Sequence, residues 1–387
     1  MTLLNNSFTF ALFPNKINQM ILNRLYEKAL AQLPLSIEEG VTLFSEAPPA
    51  LLFSIAQQLR FKKVPEQRVS WQIDRNINYT NVCISGCLFC NFHCKLSEKD
   101  KSYTISKEEL EEKISQLKKL GGDQILLQGG LHPHYDISYY EELLNTVKSI
   151  DQTIKLNAFG PPEVSHIARL SSLSIKETLD RLVRAGLDTL PGAGAEILSD
   201  RVRKLLSPGK PTSSQWCEVM QEAHKMGLST TATMVYGHIE TIEERIAHLV
   251  TIRELQEKKP KNAPGFRAFI CWPMQTEGTK LNMNYSSTEV SSIEHLKMVA
   301  ISRIMLNNIT HIQASWLTVG KEVGMLALHS GADDMGSIMI EENVVSSAGA
   351  EHKMGATEIQ NTIKEAGFEP WLRGQDYKPR VTSVSGL

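Results

Sequence analysis

The hydrophobic pattern divides the chain into a helical beginning and a longer region of alternating strands and helices. Between residues 16 and 60, apolar residues recur mostly at intervals of three and four positions, which predicts helix. Over residues 69–79, apolar and polar positions alternate as in a strand, and this segment runs directly into a group of cysteines. The chemistry of the chain is therefore expected to begin where this first strand stops.

After the cysteines, short apolar runs alternate with amphipathic segments. Strands are predicted at residues 124–128, 154–159, 189–190, 229–235, 266–270 and 311–316. Helices are predicted at residues 107–120, 139–149, 175–185, 216–226, 242–258, 292–305, 321–329 and from 357 onwards. Repeated βα units predict a parallel sheet, and about eight units are the number that closes a TIM-type barrel.

We therefore expect an α/β protein with three parts. The first is an N-terminal helical extension over residues 1–68, and the second is a (β/α)8 barrel core over residues 69–349. The third is a C-terminal helical closing segment over residues 350–387. No linker rich in glycine or serine separates these parts, so the pattern indicates one barrel rather than two independent domains.

Composition and charge exclude several classes of partner. The chain has 387 residues, with 41 Lys and Arg against 43 Asp and Glu, so it has no basic field for nucleic acid. No segment approaches the roughly 18 uninterrupted apolar residues of a membrane span. The first 14 residues have no basic region and do not resemble a signal peptide. These features predict a cytoplasmic protein with neither nucleic acid nor membrane as partner.

Three cysteines carry the strongest chemical signal. Cys83, Cys87 and Cys90 are spaced C-x3-C-x2-C on a glycine-containing loop after a strand. A [4Fe-4S] cluster normally has four protein ligands, so three thiolates leave one iron open to a small molecule. An open iron of this kind can bind S-adenosylmethionine (SAM) through its amino and carboxylate groups.

A structural zinc site is the alternative, with Cys94 as the fourth ligand. Zinc sites of that kind usually combine one C-x2-C pair with a second pair far along the chain, and neither Cys217 nor Cys271 has a neighbouring partner. The spacing therefore favours the cluster. Cys94 itself could be an inert thiol, a zinc ligand or a resolving cysteine under oxidation.

The run C-x3-C-x-F-C, in which Phe89 precedes the third cysteine, resembles the signature of the radical SAM enzymes. Further stretches resemble the menaquinone (futalosine) branch of that family; they are residues 74–83, 128–133, 158–163, 194–198, 233–241 and 336–345. Within the branch, residues 76–79, 315–318 and 337–343 are most similar to the cyclic dehypoxanthinyl futalosine synthases.

This resemblance implies a radical SAM barrel, a [4Fe-4S] cluster with one open iron, SAM, and a one-electron donor such as flavodoxin or ferredoxin. It also implies dehypoxanthinyl futalosine as the small-molecule substrate. A 5'-deoxyadenosyl radical would abstract hydrogen from C4' of the ribose. The C4' radical would then add to the benzoate ring, and loss of one electron and one proton would give the cyclic product. Aminofutalosine synthase, in which the adenosyl group adds to the substrate, and a non-catalytic metal-binding module are the alternatives.

Five residues are predicted to contact the cofactors. Gly129 and Gly130 follow a predicted strand and allow close approach of a ligand, although a tight turn would also explain them. The resemblance places this pair against the amino group of SAM. Phe89, between the second and third cysteines, would contact the adenine, although ordinary packing would also explain it. Glu196, at the end of a strand, could hold ribose hydroxyls or the ammonium group, with a solvated surface residue as the alternative. Asn157 ends another strand and could contact SAM or the substrate.

The last step of the implied reaction releases a proton and needs a base. His238 lies in a loop at the carboxyl end of a strand, where catalytic groups of barrels collect. Glu163, Glu341 and Glu342 are the other candidates. The sequence does not choose among these four residues.

Overall fold

The computed structural model describes residues 16–284 and 289–380. Within these residues the α-helices are α1 (Lys16–Leu30), α2 (Ile37–Glu46), α3 (Pro49–Lys63), α4 (Lys107–Lys119), α5 (Ile137–Ile150), α6 (Pro161–Leu170), α7 (Ile175–Arg184), α8 (Asp200–Leu206), α9 (Ser213–Lys225), α10 (Ile242–Glu257), α11 (Lys280–Asn284), α12 (Ser292–Met305), α13 (Trp316–Val319), α14 (Lys321–Leu328) and α15 (Ala356–Glu365). The strands are β1 (Arg68–Gln72), β2 (Asp74–Asn78), β3 (Gln124–Gln128), β4 (Lys155–Ala158), β5 (Thr189–Leu190), β6 (Ser229–Tyr236), β7 (Gly265–Pro273), β8 (His311–Gln313), β9 (Asp334–Ser337) and β10 (Glu369–Leu372). A short 3-10 helix covers Ser346–Ala348.

The N-terminal segment examined for a signal peptide lies outside the described residues. So do the outermost residues of the two segments predicted to flank the barrel. No helix within the described ranges combines the length and the hydrophobicity that crossing a bilayer requires.

The predicted helical extension is formed by α1, α2 and α3, which cover the outside of the barrel. Leu52, Ile55 and Leu59 of α3 are buried at helical spacing, and this helix packs along α12. A side chain at Gly40 of α2 would meet Ile246 of α10 and Met305 of α12. The extension is therefore joined to the barrel by close packing and shares its hydrophobic core.

The sheet has ten parallel strands in the order β10-β1-β9-β8-β7-β6-β5-β4-β3-β2. Only Ile73 separates β1 from β2, although these strands stand far apart in that order. The carbonyl of Gln72 accepts a hydrogen bond from Ile338 N–H at 3.1 Å, and that of Asp74 accepts one from Ile340 N–H at 3.3 Å. On its other side, β2 pairs with β3. The segment β1–β2, bent at Ile73, therefore connects β9 at one end of the strand order with β3 at the other and closes the barrel.

Counted with the bent segment as one position, β3 to β9 complete eight positions around the barrel, so the predicted fold class is confirmed. The strand predicted at residues 69–79 is present but is interrupted at Ile73.

The C-terminal segment differs from the helical segment that the pattern predicts. After α15 the chain forms β10, which pairs with β1 on the outer side of the barrel. This strand has only four residues, contains Pro370 and is mostly half-buried, so it lacks a clear alternation of polar and apolar positions. The pattern also does not predict β9, because its sequence Asp-Met-Gly-Ser has little hydrophobic character although all four residues are buried.

Candidate active site

A cavity of about 460 Å³ runs through the barrel from the cysteine loop toward the amino ends of the strands. Apolar and polar side chains both line it, and the polar ones include Asp74, Asn76 and Asn78 of β2. These three alternate with Arg75 and Ile77, which are also buried. A barrel interior lined by carboxyl and amide groups differs from the packed apolar core usual for this architecture and suits a polar ligand.

The cysteine loop folds around one hydroxyl group. Ser85 Oγ lies 3.0 Å from Cys83 Sγ and 3.2 Å from Cys87 Sγ. The backbone N–H of Leu131 donates to Cys83 Sγ at 3.3 Å. Cys90 N–H donates to the carbonyl of Cys87 at 3.4 Å. The three cysteines share one end of the cavity, and burial raises the pKa of the Cys87 thiol to about 11.

Cys94 holds this loop in place through its backbone. Its N–H donates to the carbonyl of Asn81 at 2.9 Å, and its carbonyl accepts from Cys83 N–H at 3.1 Å. These bonds form a parallel bridge beside Val82. The side chain of Cys94 is buried and is not part of the cavity wall.

Gly129 and Gly130 are packed against protein on the side where a side chain would project. A Cβ on Gly129 would lie 2.7 Å from the ring of Tyr79, and one on Gly130 would lie 2.1 Å from the carbonyl oxygen of Val82. Close packing alone therefore requires both glycines. Their N–H groups donate to Glu163 and to the carbonyl of Thr80, so their carbonyl oxygens are the groups left to serve a ligand.

Glu163 fixes the backbone around this strand end. Its carboxylate accepts hydrogen bonds from Gly160 N–H at 2.7 Å, Tyr79 O–H at 2.9 Å and Gly129 N–H at 3.0 Å. Burial raises the pKa of Glu163 to about 7, although these three bonds act in the opposite direction. The residue lies in the first turn of α6 and lines the cavity.

Glu196 belongs to a buried charge cluster at the same end. Lys210 Nζ lies 2.6 Å from Glu196 Oε1, and Arg203 Nη1 lies 3.7 Å from Oε2. The ammonium group of Lys210 also lies 5.3 Å from the centre of the Phe89 ring, within range of a cation–π contact. Glu196 has φ 38°, in the left-handed region that non-glycine residues rarely adopt. The structure therefore ties Glu196 and Phe89 together through Lys210.

Asn157 belongs to β4 and lines the cavity. Its Oδ1 accepts a hydrogen bond from Thr189 Oγ1 at 2.9 Å, across to β5. This bond fixes the orientation of the amide.

The structure does not bring His238 or Glu341 to the cavity wall. The side chain of His238 is fully buried, with Nε2 3.0 Å from the carbonyl oxygen of Val235 and Nδ1 2.8 Å from Glu240 Oε2. Glu341 instead pairs with Arg75 at 2.8 Å and with Lys113 of α4 at 2.6 Å. Both residues follow strand ends, but their side chains are directed into neighbouring loops and helices, which the sequence alone does not reveal.

Glu342, in contrast, lines the cavity. Its carboxylate accepts hydrogen bonds from the N–H groups of Val344, Val345 and Ser346 at 2.7–3.1 Å. Burial raises the pKa of Glu342. Glu163 and Glu342 are thus the two predicted bases that reach the cavity.

Comparison with known proteins agrees with this geometry. The model of the radical SAM superfamily matches residues 77–252, and the model described as the CofH/MqnC C-terminal region matches residues 263–385. Cyclic dehypoxanthine futalosine synthase of Streptomyces coelicolor is 41% identical over 93% of this chain and 89% of its own. The enzyme of that name from Halalkalibacterium halodurans is 40% identical over 93% and 95%. The chain belongs to this radical SAM family.

The family also contains a second activity. A 5-amino-6-(D-ribitylamino)uracil--L-tyrosine 4-hydroxyphenyl transferase from Methanococcoides burtonii is 39% identical over 88% of this chain and 94% of its own. Solved radical SAM structures share the fold. HydG from Carboxydothermus hydrogenoformans superposes with a TM-score of 0.72 at 17% identity, covering 94% of this chain and 82% of its own. Methylornithine synthase (PylB) does so with 0.68 at 20%, covering 89% and 97%.

The donor chemistry of the cysteine loop fits a [4Fe-4S] cluster, because three thiols from one loop share one end of the cavity. Cys83 Sγ and Cys87 Sγ both lie within 3.2 Å of Ser85 Oγ.

Several residues of this site are not predicted from sequence. Ser85 lies inside the cysteine motif and Tyr79 lies just before it, so their positions in the motif are a signal that could have identified both. Lys210 and Arg203 come from a loop and a short helix far along the chain. Nothing in their local sequence indicates that the fold places them beside the cysteine loop.

Proposed function

We propose that this radical SAM enzyme converts dehypoxanthinyl futalosine to cyclic dehypoxanthinyl futalosine in menaquinone biosynthesis. The observation that carries this proposal is the cavity, because it connects the three cysteines to a polar chamber inside the barrel. The near full-length similarity to two enzymes named for this reaction supports it.

Cys83, Cys87 and Cys90 would hold a [4Fe-4S] cluster, leaving one iron for SAM. When bound and reduced by one electron, this pair of cofactors supplies a 5'-deoxyadenosyl radical. A small redox protein such as flavodoxin or ferredoxin is our proposed donor. The carbonyl oxygens of Gly129 and Gly130 are acceptors suited to the amino group of SAM.

Three more residues complete the proposed SAM site: Phe89, Asn157 and Glu196. Phe89 belongs to the cysteine loop, and its ring makes a cation–π contact with Lys210. The side-chain amide of Asn157 is oriented by its hydrogen bond from Thr189. Glu196 Oε2 has no hydrogen-bond donor among the described residues, although it is buried. Its ion-pair partner, Arg203 Nη1, lies 3.7 Å away, beyond hydrogen-bond distance. A ligand hydroxyl or ammonium group that reached this oxygen would supply the missing hydrogen bond.

The chain itself must orient the substrate, exclude water and take up the proton released at ring closure. We assign proton uptake to Glu342. Both Glu342 and Glu163 reach the cavity, but Glu163 joins three separate elements, whereas the partners of Glu342 all belong to its own loop. A change of protonation at Glu342 therefore disturbs less of the surrounding structure. A cytoplasmic setting without nucleic acid or membrane as partner is consistent with the balanced charge.

Product analysis tests the function. The enzyme is reconstituted with iron and sulfide without oxygen, reduced, and given SAM with dehypoxanthinyl futalosine. A second reaction contains 5-amino-6-(D-ribitylamino)uracil and tyrosine. We expect a product lighter than the futalosine substrate by two hydrogens, with free 5'-deoxyadenosine and methionine. Consumption of tyrosine would instead assign the transferase activity, and incorporation of the adenosyl group would indicate an addition reaction like that of aminofutalosine synthase.

Cysteine variants provide the matched controls. Cys87→Ala should abolish cluster assembly and SAM cleavage, because it removes one of three ligands. Cys217→Ala, which changes a thiol on α9 outside the cavity, should retain both. Zinc without iron or sulfide in the wild type would favour the binding-module alternative. In the same assay, Glu342→Gln should still cleave SAM but should form much less of the cyclic product.

A further inference from the structure

Among the described residues, three Lys and Arg side chains line the cavity, and two of them are paired with carboxylates. Lys210 is bound to Glu196, 2.6 Å away. Arg373 Nε lies 2.5 Å from Asp334 Oδ2, and its guanidinium also bonds to Gln72. Each of these charges is therefore balanced within the protein.

The third cation, Arg267, has no carboxylate partner among the described residues. Its side chain lines the cavity, and the hydrogen bond it makes there is from Nε to Ser229 Oγ at 3.2 Å. The two terminal nitrogens of its guanidinium are the donors that form a bidentate pair with a carboxylate.

A break in strand register places Arg267 on the wall. On the neighbouring strand β6, Thr230 pairs with Phe266 and the next residue, Thr231, pairs with Ala268, so Arg267 is an extra residue in β7. Phe266 is buried and stacks on Trp216, which belongs to the surrounding helices. Bulges of this kind re-aim a side chain, and they are frequent next to active sites.

The surrounding wall also has unsatisfied polar atoms. Gln72, Asn76 and Gln124 line the same cavity, and one polar atom of each, Gln72 Nε2, Asn76 Oδ1 and Gln124 Oε1, is buried without a hydrogen-bond partner among the described residues. Polar side chains thus contribute to the same cavity wall as Arg267. Arg267 lies near the amino end of β7, whereas the cysteine loop lies at the carboxyl ends of the strands. At roughly 3.3 Å per residue, the part of β7 from Ala268 to its carboxyl end is about 16 Å long. Arg267 is therefore at the end of the cavity far from the cysteines.

We propose that Arg267 is the carboxylate-binding residue for the substrate and holds its benzoate group at the bottom of the cavity. This inference rests on the proposed function. The benzoate and the ribose occupy opposite ends of dehypoxanthinyl futalosine. A carboxylate held at Arg267 therefore directs the ribose toward the cysteine end, where hydrogen abstraction is expected.

The kinetic test compares the natural substrate with its carboxamide analogue, in which the benzoate is neutral. In the wild type, kcat/KM should be about 10- to 100-fold higher for the acid, as expected for a charge-assisted bidentate contact. Arg267→Gln should raise KM for the acid by a similar factor and should no longer distinguish acid from amide. Arg267→Lys keeps the positive charge but not the planar guanidinium, so its KM for the acid should lie between the values of the wild type and of Arg267→Gln. Arg184→Gln changes an exposed arginine on α7 and should match the wild type.

Binding of 3-acetylbenzoate, measured by calorimetry, tests the same site without turnover. The wild type should bind it more tightly than 3-acetylbenzamide, and Arg267→Gln should abolish that preference. An unchanged KM and an unchanged preference in a folded Arg267→Gln enzyme would overturn the inference. If the wild type shows the preference but does not consume dehypoxanthinyl futalosine, the proposed function fails and the carboxylate site stands.

Discussion

The carboxylate of Glu163 accepts a hydrogen bond from the backbone N–H of Gly129 at 3.0 Å. The same buried group holds Tyr79 and Gly160, so one side chain at the start of α6 ties together the ends of β3 and β4. These hydrogen bonds to Glu163 therefore fix the backbone beside the proposed SAM site. Glu163 is best described as a positioning residue.

Removal of Glu163 should weaken SAM cleavage without removing the cluster. Glu163→Ala leaves three donors unpaired, and loss of such supporting contacts typically costs 10- to 100-fold in activity. Release of 5'-deoxyadenosine per bound cluster measures the effect. Glu177→Ala is the control, because Glu177 occupies the same capping position at the start of α7 but is exposed. A similar loss in both variants would show that helix capping, rather than the link to Gly129, is responsible.

The raised pKa of Glu163 predicts a dependence of stability on pH. In the folded protein its pKa is about 7, against about 4.3 in an unfolded chain. Between these values the folded state holds more protons, so the free energy of unfolding should fall as pH rises from about 4.3 to 7, by up to roughly 3 kcal/mol. Thermal unfolding of the apoprotein measures it against Glu163→Gln, which lacks this titration. A pH-independent difference in Tm would contradict the prediction.

The pair formed by Lys210 and Glu196 should matter for stability. Lys210→Met leaves a buried carboxylate beside Arg203 alone, and removing one partner of a buried pair typically costs about 3–5 kcal/mol. Tm should fall by several degrees, and the double variant with Glu196→Gln should recover part of the loss. Lys225→Met is the control: its pair with Glu222 is also 2.6 Å long but lies at the surface. An equal fall in Tm in Lys210→Met and Lys225→Met would contradict the prediction that the buried pair contributes more to stability than the surface pair.

Ser85 should tune the cluster rather than assemble it. Its hydroxyl lies within 3.2 Å of the sulfurs of Cys83 and Cys87, the proposed ligands, and hydrogen bonds to ligand sulfurs raise the reduction potential of a cluster. Ser85→Ala should therefore keep the iron content and shift the potential to a more negative value. A redox titration followed by electron paramagnetic resonance measures the shift. An unchanged potential would mean that the hydroxyl does not bond to the sulfurs once the cluster is bound.

Strong periodic segments explain why most of the barrel could be predicted. β3 and β5 have the predicted bounds, and α12 does as well, because these segments are hydrophobic and have clear ends. α6 was not predicted, since it begins at Pro161 and Pro162, which break most patterns but are well suited to the first turn of a helix. Strands such as β9 are defined by their neighbours in the sheet and not by their own hydrophobicity.

The sequence could predict which residues lie together where the proposed ligands are close along the chain. Cys83, Cys87 and Cys90 share one loop, so their spacing alone predicted a shared site. Arg267 and Lys210 were not predicted because a register break and a distant loop place them. His238 is the reverse case. Its position after a strand suggests a role in the cavity, but its ring pairs with Glu240 and does not reach the cavity wall.

The most direct test of the proposed cyclase follows one atom. Substrate labelled with deuterium at C4' is given to the reconstituted enzyme with SAM and reductant, and 5'-deoxyadenosine and product are analysed by mass spectrometry. The account predicts that deuterium appears in free 5'-deoxyadenosine and that the product is cyclic dehypoxanthinyl futalosine. Unlabelled 5'-deoxyadenosine with intact substrate, or a product that contains the adenosyl group, would contradict it.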